Sequence, residues 1–194
     1  MKLKVVALVP LFAAVISSTF ATPVDVLHLT HWDSSSRPQP TEFQNGASYQ
    51  LCFVPDGASC QELLVSAIDQ TQSQLRVQAY SFTSAPIAAA IKRAKERGVD
   101  VKVILDKSQV SQKYSGATYL RNAGIDVVID TRPAIAHNKV MIFDGKAVFT
   151  GSFNFTKAAQ QRNAENGMIV RGDKALTDAY LANWEKRYGV SSRY

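Results

Sequence analysis

From about Tyr49 onward, short apolar runs alternate with helix-like patterns, and the order of these segments predicts the fold class. A strand at Tyr49–Val54, a helix at Gln61–Gln70, a strand at Leu75–Tyr80 and a helix at Ala85–Arg97 form a β-α-β-α series. Arg97-Gly98 reads as a helix C-terminus. A β-branched strand at Val101–Leu105, a helix at Ala117–Asn122 stopped before Gly124, and a strand at Asp126–Ile129 follow. The rhythm changes after Pro133. There His137–Phe143 and Ala147–Thr150 flank Asp144-Gly145, a dipeptide suited to the positive φ angles of a tight hairpin, so these two strands are expected to be antiparallel neighbours. A strand at Gly167–Val170 and an amphipathic helix from Lys174 to Tyr188, with Leu176, Tyr180, Leu181 and Trp184 on one face, close the chain. The expected fold is α/β: a mixed β-sheet with helices on both faces, an α/β/α sandwich. The sheet pattern has no internal repeat.

The first 47 residues do not share this pattern. Lys2 and Lys4 precede an apolar run, Val5 to Ile16, and then Thr19-Phe20-Ala21, which together read as a secretory signal peptide over residues 1–21 with cleavage after Ala21. The competing reading is an uncleaved N-terminal anchor. Residues 22–47 are rich in Ser, Pro, Gln and Thr and read as an extended tail, leaving 48–194 as one domain. The expected destination is the periplasm or the medium, without stable membrane association after cleavage. Export agrees with the cysteines, Cys52 and Cys60, which are the only two and lie eight positions apart. A disulfide between them is favoured over two free core thiols or half of a metal site.

Composition excludes little: 46% apolar and 20% charged residues are ordinary for a globular protein and argue against a disordered or fibrous one. Removing residues 1–21 takes away Lys2 and Lys4, leaving 20 of the 22 basic residues against 16 acidic ones. That excess is compatible with a polyanionic substrate without specifying one.

Chemistry concentrates in one stretch. His137 and Lys139 are two apart on a predicted strand, so both side chains are expected on one face, where they can converge on a phosphate. Across the hairpin, Gly151 permits close backbone approach, while Ser152 and Asn154 add a hydroxyl and an amide donor. Lys139, Gly151, Ser152 and Asn154 thus form a candidate phosphate cradle.

The run His137-x-Lys139-x4-Asp144-x6-Gly151-Ser152-x-Asn154 resembles the signature of the phospholipase D superfamily. From about Tyr49 to Tyr194, including Thr150–Ala159 and Glu165, the chain resembles that superfamily's small, single-motif, EDTA-resistant bacterial endonucleases. The resemblance implies His137, Lys139, Asp144 and Glu165 as the catalytic set. His137 is then the nucleophile, forming a phosphohistidine, and Glu165 the carboxylate that fixes its tautomer. Lys139, Ser152 and Asn154 stabilise the transition-state charge with no cofactor and no metal. Asp144 reads as a positioning and charge-balancing group. One imidazole cannot attack phosphorus and protonate the leaving oxygen at once, and His28 and His31 lie in the polar tail, where a solvated segment is a better reading than a metal pair. A homodimer that brings two copies of His137 together is therefore expected.

The expected substrate is nucleic acid, DNA and by extension RNA, cut without sequence preference. The alternatives are a lipid phosphodiesterase and a non-catalytic nucleic-acid-binding module. Lys107, Lys113 and Arg132 are candidate groove cations, and Tyr80 and Phe155 candidate base-stacking rings, against the readings of ordinary surface charge and core packing.

Overall fold

The computed structural model describes residues 38–111 and 115–194. Residues 1–21, read as a signal peptide, most of the stretch read as a tail including His28 and His31, and Lys113 lie outside the described residues.

The order of elements follows the sequence pattern. Strands β1 (Ser48–Val54), β2 (Gln74–Ala79), β3 (Asp100–Asp106) and β4 (Asp126–Asp130) are interleaved with helices α1 (Cys60–Gln70), α2 (Ala85–Glu96), α3 (Ser108–Ser111) and α4 (Gly116–Asn122). Strands β5 (Lys139–Phe143) and β6 (Ala147–Gly151) form the hairpin. Helix α5 (Lys157–Arg162), strand β7 (Glu165–Arg171), helix α6 (Lys174–Gly189) and strand β8 (Ser192–Arg193) complete the chain. Side-chain caps open the helices: Ser59, Ser84, Ser115, Thr156 and Asp173 each accept a hydrogen bond from a first-turn amide of α1, α2, α4, α5 and α6.

The eight strands form one mixed sheet in the order β1-β7-β6-β5-β2-β3-β4-β8. β2, β3 and β4 are parallel and joined by helices, while the other pairings are antiparallel. Period-two alternation sends each strand's residues to opposite faces. Leu75, Val77, Val103, Ile129, Met141 and Phe149 pack beneath α1, α2 and α4, and Ile104, Val128, Val140, Ile142 and Val148 pack around Trp184 of α6. Both faces of the central strands are covered, so even polar side chains of β2 are buried. Arg76 lies 5.4 Å from the Trp184 ring and bonds Asp100, and Trp184 Nε1 donates to Val77 O at 3.0 Å.

Cys52 and Cys60 are disulfide-bonded and fully buried, joining β1 to the first turn of α1. Asp144 (φ 53°) and Gly145 (φ 62°) form the hairpin turn, closed by Lys146 N donating to Phe143 O at 2.9 Å. Within the stretch read as an extended tail, the Gln44 amide donates to Asp173 Oδ2 at 3.0 Å and its side chain accepts from Lys174 N. Among the described residues no helix is long and apolar enough to cross a membrane.

Candidate active site

The β5–β6 hairpin and β7 end together on one edge of the sandwich, and most of the predicted site residues meet there. His137 is exposed on the loop before β5, which begins only at Lys139. Strand alternation therefore does not by itself place the imidazole beside the ammonium group. What joins them is a local bond: Lys139, only 6% exposed, donates from Nζ to the carbonyl of His137 at 2.7 Å. Burial pushes the Lys139 pKa down, against an opposing pull from the Glu165 carboxylate. The Tyr80 ring packs against His137 with centroids 4.5 Å apart, and Lys139 Nζ lies 5.2 Å from the same ring.

The loop that carries His137 is held through its backbone. Asp106, 1% exposed at the end of β3, accepts from Ala136 N at 2.7 Å and from Ser108 N at 2.9 Å. Burial alone would raise its pKa, but these bonds and Lys107 outweigh it and hold the carboxyl below the usual range. Asp130, fully buried at the end of β4, accepts from Arg132 N and is paired with Arg187 of α6 by two bonds of 2.6 and 2.8 Å. On the other side, Asn138 O accepts from Tyr80 N, and Asn138 Oδ1 accepts from Gln78 Nε2. These bolts were not foreseen. Their signal in the sequence is a carboxylate closing each of two apolar strands, Val101–Asp106 and Val127–Asp130.

Gly151 has a purpose other than close approach to a ligand. A Cβ there would lie 2.4 Å from Asn166 O and 2.7 Å from Gly167 Cα, its partner on β7. Only hydrogen at this position lets Ser152 N and Phe153 N both reach Asn166 O, at 3.0 and 3.2 Å. This contact brings Ser152 to Glu165. Ser152 Oγ donates to Glu165 Oε2 at 2.6 Å and accepts from Asn166 N, and Asn163 Nδ2 donates to Glu165 Oε1 at 2.7 Å. In this arrangement Glu165 makes no hydrogen bond to His137, and its carboxylate is taken up by Ser152 and Asn163. Ser152 here gives its hydroxyl proton to Glu165 and supports that carboxylate. Asn154 is half-buried, and its Oδ1 is buried without a hydrogen-bond partner. An unmet buried acceptor costs on the order of 1–3 kcal/mol; the donors that Asn154 can offer a phosphate are on its Nδ2.

Asp144 belongs to the motif but not to the site. It lies beyond the opposite end of β5, roughly 17 Å from Lys139 at about 3.3 Å per residue. Its carboxylate accepts from Gln72 N, Ser73 N, Ser73 Oγ and Gln74 N at 2.7–3.2 Å, tying the hairpin turn to the start of β2. Burial would raise its pKa; the hydrogen bonds dominate and lower it. Of the remaining candidates, Phe155 is fully buried against Phe82 and Phe149 and is a core residue. Lys107 and Arg132 are exposed beside the His137 loop, with Lys107 Nζ donating to Pro133 O at 3.3 Å.

Comparison with known proteins agrees with this geometry. The family model described as cardiolipin synthase, PLD-like domain, matches residues 64–187. A phospholipase D of Rickettsia typhi is 45% identical over 141 residues, covering 73% of this chain and 68% of that protein. The mitochondrial cardiolipin hydrolase of Homo sapiens is 33% identical over 135 residues, covering 70% of this chain and 53% of that protein. The crystal structure of Nuc from Salmonella typhimurium, a phospholipase D family member, superposes with a TM-score of 0.73 at 39% identity, covering 76% of this chain and 98% of that one. The chain belongs to the phospholipase D-like family, and its mixed sheet with flanking helices matches the fold of Nuc.

Proposed function

We propose that this phosphodiesterase of the phospholipase D superfamily cleaves nucleic acid through a covalent intermediate on His137, as a homodimer exported to the periplasm or medium. The observation that carries the proposal is the convergence of an exposed imidazole and a buried ammonium group, with the Asn154 amide nearby in the motif, at one edge of the sheet. A phosphodiester is the substrate such a set accommodates. Imidazole supplies the nucleophile, while Lys139, with two of its three N–H groups still free of His137 O, and the Nδ2 group of Asn154 donate to the non-bridging oxygens. In the first step a P–N bond forms to His137 as the P–O bond to the leaving group breaks. The departing oxygen takes a proton from His137 of the partner subunit, and that same ring then removes a proton from the water that breaks the P–N bond. Glu165 keeps Ser152 and Asn163 in place and offsets the Lys139 charge. Full-length correspondence with Nuc and the small single-motif core favour nucleic acid as substrate.

The second reading is lipid phosphodiester hydrolysis, favoured by the names of the Rickettsia and human relatives. One experiment separates the two: DNA cleavage in the presence of EDTA against head-group release from cardiolipin or phosphatidylcholine vesicles, at equal enzyme. DNA cleavage that survives chelation, and that falls by about 10⁴-fold or more in His137→Ala, is expected. Vesicle hydrolysis without DNA cleavage refutes the nucleic-acid assignment, and loss of activity with EDTA refutes the metal-free one. Export is checked by N-terminal sequencing of the protein recovered outside the cytoplasm, with Thr22 as the expected first residue.

A further inference from the structure

The hydrogen bonds that hold the His137 loop fix its main chain and leave the imidazole its own torsions. Ala136 N is tied to Asp106, and Asn138 O accepts from Tyr80 N at 2.9 Å. A histidine on a fixed Cα still has three staggered χ1 wells and a roughly two-fold χ2, about six orientations in all. Attack needs one ring nitrogen aimed at phosphorus, so an unguided ring is productive for roughly a sixth of the time. Glu165, the carboxylate expected to fix the ring, is engaged by Ser152 and Asn163. Among the described residues, the ring in contact with the imidazole is that of Tyr80, with centroids 4.5 Å apart and planes at 53°.

We infer that Tyr80 is a positioning residue, whose ring holds the His137 imidazole and the Lys139 ammonium group in one arrangement for attack on a phosphodiester. The inference rests on His137 being the nucleophile of the proposed function, and it applies to nucleic acid and lipid substrates alike. Tyr80 is half-buried, directly follows β2 in the middle of the sheet, and has its own amide tied to the His137 loop, so its ring is a fixed platform. Lys139 Nζ lies 5.2 Å from the centroid of the same ring while donating to His137 O, which closes a circuit of Tyr80, His137 and Lys139. A cation this close to an aromatic face is attracted to it, and more strongly where water is largely excluded, as at Lys139 with its 6% exposure. One ring thereby fixes the spacing between the nucleophile and the group that neutralises the phosphate. Both contacts are made by the ring and neither by the hydroxyl, so phenylalanine should keep them. A base-stacking ring would instead act on substrate affinity, and only where the substrate carries bases.

The test is kcat and KM for wild type, Tyr80→Phe and Tyr80→Leu on a DNA oligonucleotide and on an abasic one. Tyr80→Phe is expected within about threefold of wild type in both constants. Tyr80→Leu should lose kcat by about 10- to 100-fold on both substrates with KM within about threefold, the split that loss of orientation produces. A second readout does not depend on turnover. The chain has three histidines, His28, His31 and His137, so the His137 imidazole C–H signal can be assigned by NMR with His137→Asn. Its displacement by the Tyr80 ring current should persist in Tyr80→Phe and vanish in Tyr80→Leu. Should Tyr80→Leu fold poorly, Tyr80→Met, which keeps side-chain length without a π face, carries the same comparison. A wild-type kcat in Tyr80→Leu overturns the inference, as does a defect confined to KM or to the base-bearing substrate. Equal impairment of Tyr80→Phe and Tyr80→Leu overturns it too, by placing the role in the hydroxyl. If lipid vesicles are hydrolysed and DNA is not, the same kcat comparison is read on vesicles. If wild type hydrolyses no phosphodiester, the proposed function fails, and the His137 signal alone decides whether Tyr80 holds the ring.

Discussion

Asp144 is part of the family signature, and the structure predicts that its loss is a stability defect and not a catalytic one. Asp144→Ala removes the acceptor of four hydrogen bonds, to Gln72 N, Ser73 N, Ser73 Oγ and Gln74 N. It also leaves a Cβ residue at φ 53°, a conformation that Asp tolerates better than Ala. At about 0.5–1.5 kcal/mol per bond, with the solvent-facing amides regaining water, the expected cost is about 2–3 kcal/mol. For a core of this size that lowers Tm by about 5–10 °C. Asp144→Asn, which keeps one acceptor oxygen and the left-handed turn, is expected to lose about half as much. Phosphodiesterase assays well below Tm should give a kcat within about twofold of wild type for both variants, because the turn lies beyond the far end of β5 from His137. The pH dependence has a definite sign. A carboxyl whose folded pKa is depressed stabilises the fold above its unfolded pKa and loses that contribution as pH falls through the folded value, so the gap between wild type and Asp144→Asn should close below about pH 4. A hundredfold fall in kcat with an unchanged melting curve would refute the reasoning.

Asp106→Asn keeps the volume but turns one of the two oxygens, each of which accepts from one backbone N–H, into an NH₂ donor, so one of the bonds at the base of the His137 loop should be lost. A kcat about 10- to 100-fold lower, with KM within about threefold and the pH–rate profile unmoved, is the expected signature of a positioning residue. Equal loss of substrate binding and rate would instead make Asp106 merely structural. Replacing Cys52 and Cys60 together by Ala opens a short closed loop worth about 2.5 kcal/mol, read as a fall in Tm of about 5–10 °C. The Tyr188 hydroxyl donates to Asp126 Oδ2, and burial together with that carboxylate pushes its pKa up to about 12. A phenol held neutral in the fold loses its stabilising contribution as pH rises from its unfolded value near 10 toward the folded one. Wild type should therefore destabilise over that interval more steeply than Tyr188→Phe in thermal melts.

The strand and helix order was legible because both faces of the central strands are buried, which leaves long apolar runs punctuated by Ser caps and Gly stops. Asp144-Gly145 announced its own turn. Short elements escaped: α5 is six residues and β8 two, and both form because tertiary neighbours hold them. At the site, residue identities were readable and their partners were not. His137 sits off the strand, and Glu165 bonds Ser152 and Asn163 in place of the imidazole, since the pairing of Gly151 with Gly167 decides which side chains meet. No spacing rule encodes that contact. Asp106 and Asp130 stand out as carboxylates ending apolar strands, yet only the fold reveals that each receives an amide from the loop that carries His137.

Because that loop is gripped through main-chain atoms at Arg132, Ala136 and Asn138, the side chains between them are released from any duty of holding shape. Ala134 and Ile135 are exposed at the rim, three and two residues ahead of His137. Substitutions at these two positions are thus expected to change the rim beside His137 while its ring stays where the buried carboxylates put it.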